Sequence, residues 1–452
     1  SDIQVLAAAG VIDNVTMSWP LPWAGILNSL EPANALDGQP AYVREAARRV
    51  LAKADAQLRD HRINASAQMD VTNRPSVVYG YGGMGREKIE GSISAEYMSG
   101  STSLRLSAGG QSSGFNHGHS DFKPDGSYIA QKIGGAILYA GYLSHYWGPG
   151  HFSALSLSNN ARPFAHVGIM RDGTSAFKTP WLSWMGPWQA EFLVGLLDGP
   201  RIARNTAYVG ARFTMNPLPG LEIGIARTTQ MCGSGHSCNP FHDYFALAND
   251  NKTANNVNEQ GVIDLRYTGT IGGKAFELYG QVMNEDSNPI IHSVTSHLIG
   301  GSLWFPLGGT TARLTAEYTD SVPTRDIFSF GDLVHGAAYN NSGYPDGMRY
   351  RGRTLGFSLD SDSRLTSFQA SWVSQNDWTY SLSYHHAQIS NPANTQLNVV
   401  TTAPVKINLG ELRISMPFAW GTLDVAGRLQ DDQPRPKSGF AASIETALTI
   451  NF

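Results

Sequence analysis

Three arginines fall at every second position of Asp346-Gly347-Met348-Arg349-Tyr350-Arg351-Gly352-Arg353, two residues after Tyr344. A guanidinium takes a carboxylate bidentately and an aromatic ring stacks on a pyranose face, so Arg349, Tyr350, Arg351 and Arg353 have the chemistry to hold an anionic sugar. The same residues have a structural reading, in which the arginines neutralise Asp and Glu across an interior while the aromatics sit at a membrane interface. A second stretch carries Trp147 in Tyr146-Trp147-Gly148-Pro149-Gly150-His151, then Asn159, Asn160 and Arg162 in Ser158-Asn159-Asn160-Ala161-Arg162-Pro163. As ligands these would offer a stacking surface and amides for sugar hydroxyls. As structure they would fix an irregular excursion of chain whose backbone groups need partners.

Other chemistry is sparse. His117 and His119 stand one residue apart with Asp121 near, but no Cys or further His follows closely, and an ordinary loop fits better than a metal site. His385-His386, at the end of a strand, reads the same way. The sequence has no nucleophile elbow, no phosphate-cradling glycine loop and no His-Glu-x-x-His. No enzymatic activity, cofactor or metal is therefore expected. Cys232 and Cys238 are the only cysteines, in a Gly/Ser-rich loop. A disulfide between them is predicted, suited to an oxidising compartment, with two free thiols as the alternative. The formal net charge of -4 gives none of the basic excess of a nucleic-acid binder.

These residues need a scaffold, and composition narrows it. The 452 residues are rich in Gly (48) and in Tyr, Phe and Trp (18, 18 and 10) and only 15% charged. No apolar run reaches the roughly 18 residues of a membrane helix. The mean hydropathy of -0.23 is compatible with barrel strands, whose apolar and polar faces average out. Residues 1–60 read as helical: Asp2–Ala9 stopped by Gly10, Pro22–Leu30, and Ala41–Leu58 with an apolar stripe of Val43, Ala46, Ala47, Val50, Leu51 and Ala54. No signal peptide opens at Ser1, which points to a mature chain.

From about residue 62 the period becomes two. Ala65–Val71, Ile93–Tyr97, Ile263–Tyr267 and Ala312–Tyr318 alternate strictly, and about eighteen such segments follow one another to the end. We therefore predict an all-β transmembrane fold over residues 61–452, a large antiparallel outer-membrane barrel of about 18 strands. In Val405–Met416 the apolar parity switches, which predicts a bulge near Gly410-Glu411. In the last strand Phe440, Ala442, Ile444, Thr446, Leu448, Ile450 and Phe452 share one face. Ser361–Ser363 and Ser374–Asp377 read as tight turns. Alternating back from a periplasmic C-terminus puts the long loop Val322–Arg351 on the wrong side, unless Thr395–Thr401 has been misread as a strand.

The Trp-Gly-Pro-Gly and Ser-Asn-Asn-Ala-Arg-Pro strings, in that order, resemble the signature of the capsule-assembly Wzi family of Gram-negative outer-membrane proteins. Leu6–Ile12 followed by Ser18-Trp19-Pro20-Leu21 resembles that family's opening. The Arg-rich loop resembles a further segment, departing at Met348 where the family has an aromatic. An alternating last strand ending at Phe452 resembles the assembly signal of outer-membrane barrels. The resemblance implies a surface lectin that binds capsular or extracellular polysaccharide and helps attach it, with the helices at the periplasmic end. A monomer in contact with outer-membrane lipid is expected. The alternative is a porin with a lumen lined by Glu96, Arg105, Asp264, Arg266 and Glu317.

Overall fold

Alternation puts one side chain of each pair outward and the next inward, and that periodicity is the architecture. The computed structural model describes residues 2–13, 15–57, 62–112, 121–245, 256–285, 293–390, 398–401, 403–434 and 439–452. Among the described residues eighteen antiparallel strands form a closed barrel, the fourth of them interrupted between Asp121–Lys123 and Tyr128–Ile133. The first strand, Ile63–Thr72, pairs with the last, Ala441–Asn451, and closes the wall. Closure removes the unpaired edges that a bilayer would not tolerate.

Outward positions carry large apolar side chains, among them Leu278, Ile299, Leu314, Phe368, Leu382 and Ile444. Inward positions of the same strands carry Glu277, Glu317 and Glu445, all buried. Exposed aromatics cluster toward both ends of the wall, with Phe418 and Trp420 at one and Phe328, Phe330 and Phe440 at the other, as interfacial girdles do. Six connections at the first end are two-residue turns. In Gly272-Gly273 and Gly308-Gly309 both glycines have positive φ, the conformation that lets a two-residue turn follow strand twist. Connections at the other end are longer.

Three expectations change. The strand Val405–Phe418 keeps continuous register with both neighbours, with no bulge at Gly410-Glu411. The facing of successive residues never switches although the apolar parity does; Val405, Ile407 and Leu409 face inward onto an apolar cluster, whereas Leu412 faces out. Residues 398–401 form no strand, so the count of crossings closes and the excursion between Thr324 and Arg364 lies with the other long connections. Ser374–Asp377 lies in a short turn, while Ser361–Ser363 is buried at the foot of that excursion.

Helices Asp2–Ala8, Trp23–Leu30 and Ala41–Gln57 gather at the short-turn end. Ile3, Val5, Leu6, Val43, Ala46, Ala47 and Val50 form one cluster with Ala275 and Trp304 of the wall. The Tyr42 hydroxyl accepts the Ala275 N–H at 2.9 Å, and Arg48 pairs with Asp377 at 2.7 Å. Between the first two helices the chain enters the barrel, where Ser18-Trp19 pairs with Tyr146-Trp147 as a short ribbon.

Candidate functional site

The barrel is filled by its own chain. The connection between Gly141 and Ala165 and the excursion between Thr324 and Arg364 fold inward and meet. The Asn160 side-chain amide donates to the Thr354 carbonyl and hydroxyl, both at 2.9 Å, and its carbonyl accepts from Arg353 at 3.3 Å. Arg353 also donates to the Arg86 carbonyl at 2.6 Å, while Arg86 donates to the Asn159 carbonyl at 2.6 Å. The two sequence strings singled out for sugar chemistry are thus two sides of one interlocked floor.

Most of the nominated residues are enclosed there. Trp147 is 0% exposed; its indole donates to Glu191 at 3.2 Å and its carbonyl accepts from Gln281 at 3.0 Å. Asn160 is buried and Asn159 half-buried. Arg162 is buried against Asp125 at 2.8 Å and the Phe122 carbonyl at 3.1 Å. Arg349 is buried against Asp360 at 2.7 Å and reaches Asn340 at 2.9 Å. Tyr350 is buried and donates to Asp198; burial first, and then that carboxylate, push its phenol up to about 12. Arg351 differs, with a side chain 28% exposed and a 3.2 Å pair to a half-exposed Asp198. Its φ of 49° precedes that of Gly352 at 78°, a left-handed pair that turns the chain back at the long-loop end.

Arg201 donates to the Arg349 carbonyl at 3.3 Å, and the Ile202 N–H donates to Asp346 at 2.7 Å. These bonds draw the 198–205 connection alongside Arg351. Cys232 and Cys238 are disulfide-bonded. Tyr344 ties their loop to the excursion, its hydroxyl donating to the Cys232 carbonyl at 3.0 Å and its ring stacking on His236 at 4.1 Å.

Wall carboxylates hold the inserted segments, Glu277 on His151 at 2.7 Å and Glu285 on the Tyr339 N–H at 2.7 Å among them, and the sequence reading did not assign them that role. Glu317 accepts the His151 N–H at 2.6 Å, the Phe152 N–H at 3.2 Å and the Tyr279 hydroxyl at 2.9 Å. Glu191 holds Tyr139 at 2.6 Å, His145 at 2.9 Å and Trp147. Glu222 accepts the Thr16 and Met17 N–H groups at 3.0 and 3.1 Å and pairs with Arg266 at 2.6 Å. Only inward parity signalled them. Of the residues considered as porin lining, Asp264 is bound by Arg212 at 2.5 Å and by Gln281 at 2.6 Å. Glu96 accepts from Tyr128, and Arg105 donates to Ser94 at 3.0 Å. His385 faces inward, bonded to Ser367 at 2.8 Å, and His386 faces outward, so the pair shares no site. His117 and His119 lie outside the described residues.

A stretch of 312 residues is 27% identical to an uncharacterized 55.8 kDa protein in the cps region of Klebsiella pneumoniae, covering 66% of this chain and 59% of that one. The chain thus spans less than two thirds of that relative. The Wzi outer-membrane protein of Escherichia coli, described as a carbohydrate-binding β-barrel involved in group 1 capsule assembly, superposes with a TM-score of 0.85 at 20% identity. That likeness covers 100% of this chain and 97% of the other. OprD of Pseudomonas aeruginosa superposes with a TM-score of 0.46 at 10% identity over 86% of this chain and 94% of its own, too loose a likeness to bear on function. Residues 58–433 match the family model of the capsule assembly protein Wzi, and the chain belongs to that family of bacterial outer-membrane β-barrels.

Proposed function

We propose that this barrel is a non-enzymatic surface lectin, which binds capsular polysaccharide at its long-loop end and helps attach or organise it at the cell surface. One observation carries the reading. The interlocked floor holds Arg349 buried and leaves Arg351 part-exposed beside Asp198 and the 198–205 connection. A part-exposed guanidinium over a buried tyrosine, with Arg351 5.4 Å from the Tyr350 ring centre, suits carboxylated or densely hydroxylated sugars. The carbohydrate binding of the Escherichia coli relative and the capsule-assembly family support it. The helices at the short-turn end then face the periplasm, and the chain acts as a monomer.

The test is saturable binding of the detergent-solubilised protein to capsular polysaccharide from its own source, against an unrelated capsule. The native polymer is expected to bind and Arg351→Ala to abolish binding while the barrel stays folded. No binding to either polymer, together with stable conductance in liposomes, would replace this reading with a channel.

A further inference from the structure

On the lipid-facing wall, five adjacent strands bring one polar row to the long-loop edge. His297 pairs in register with Asp320, Asp320 with Arg364, Arg364 with Gln388, and Gln388 with Lys406. All five share the parity of the exposed Ile299, Tyr318, Phe368, Leu382 and Leu412, so they point away from the lumen. Arg364 binds Asp320 through Nε at 2.9 Å, and Tyr318 donates to the same carboxylate at 3.0 Å. Lys406 is exposed, with no ion-pair partner among the described residues. Next to Lys406 on its own strand, Asn408 is bound by His386 at 2.8 Å and donates to Asp431 at 2.6 Å.

Directly below this row the wall is dented. Gly301 and Ala316 face each other, Ala370 and Gly410 lie on the neighbouring strands, and a depression of about 1130 Å³ opens among Leu278, Leu314 and Leu382. On the strands beside the barrel seam the outward face stays apolar to the long-loop ends, as at Leu429, Phe440, Val71 and Ile89, each of them exposed; a second outward polar pair, Arg227 with Glu259, packs against the Tyr244 ring on another sector. A polar ledge over an apolar hollow, on one sector of the wall, has the two-part chemistry of a lipid: acyl chains below, a charged and hydrogen-bonding headgroup above.

We propose that this sector seats one outer-leaflet lipid, an acylated amino sugar carrying phosphate, of the lipid A class. Its chains lie in the Gly301–Gly410 hollow. Lys406 and Arg364 meet the phosphate, and Gln388 and Asp320 meet the sugar amide and hydroxyls. The location is continuous with the membrane-facing wall, and this site is separate from the lumenal floor.

The full chain, reconstituted in nanodiscs of phosphatidylethanolamine and phosphatidylglycerol containing lipid A, is read by native mass spectrometry for retained lipid. Lipid A is expected to be retained over phosphatidylglycerol and over dephosphorylated lipid A. Lys406→Ala is expected to weaken retention about fivefold, the worth of one basic side chain at a membrane surface. Gly410→Leu, at a position where an added Cβ meets nothing within 4 Å, fills the hollow and is expected to reduce retention without disturbing the fold. Folding of both variants is checked by heat-modifiable electrophoretic mobility. Equal retention of all three lipids by the wild type, or wild-type retention by both variants, overturns the proposal.

Discussion

The lumen and the outer wall of this barrel use polar residues in opposite ways. Inside, Glu191, Glu222 and Glu317 are buried and committed to inserted backbone and side chains. Outside, among the described residues, a polar row forms one ledge where Lys406 stays exposed, and a separate pair, Arg227 with Glu259, packs against Tyr244. A polar residue at an inward position is therefore the ordinary state of this fold and says little about ligands. A polar residue at an outward position is the exception that asks for a partner.

The comparison can be broken first at Glu222. Its loss takes from Arg266 its closest carboxylate, leaving Glu277 at 3.8 Å, and strands two backbone N–H groups in the interior; removing one partner of a buried pair costs about 3–5 kcal/mol. Glu222→Ala is expected to unfold at markedly lower urea in lipid vesicles; an unchanged midpoint would show that the lumenal network is not what holds the N-terminal segment. Arg349→Ala comes next, at about 3 kcal/mol, because Asp360 is left buried without its cation, keeping only the Val399 N–H among the described residues. Reduction of Cys232–Cys238 should cost about 2 kcal/mol by loop entropy and loosen Tyr344, read as faster hydrogen exchange in residues 339–350. The smallest stability effect belongs to Arg351→Ala, below about 1 kcal/mol for an exposed pair, with polysaccharide binding lost. A stability loss at Arg351 as large as at Arg349 would erase the distinction between floor and surface.

The wall was legible because alternation is a local property. Ile263–Tyr267 and Ala312–Tyr318 announce their two faces within five to seven residues. The reading failed at Val405–Leu409, where the inward face is apolar because the inserted segments bring their own core to that height. No local pattern reports what fills a lumen. The floor was legible as punctuation, since Asn160 and Arg353 stand in strings rich in Gly, Pro and Asn. Their mutual contact joins positions 193 apart, beyond the reach of any window. The same distance hid the roles of Glu191 and Glu317, and burial separates Arg349 from Arg351 although only Tyr350 lies between them.

The seam between Ile63–Thr72 and Ala441–Asn451 also sets an order of assembly. The first strand emerges with no partner on one side until nearly the whole chain has been made, so the wall closes through its longest-range pairing. Thr16–Trp19, the 142–164 connection and the later part of the excursion, from Ala338 to Ser363, lie largely within that wall, bonded to it and to one another. The interior is therefore expected to load while the sheet is still open, the last strand sealing a vessel that is already full.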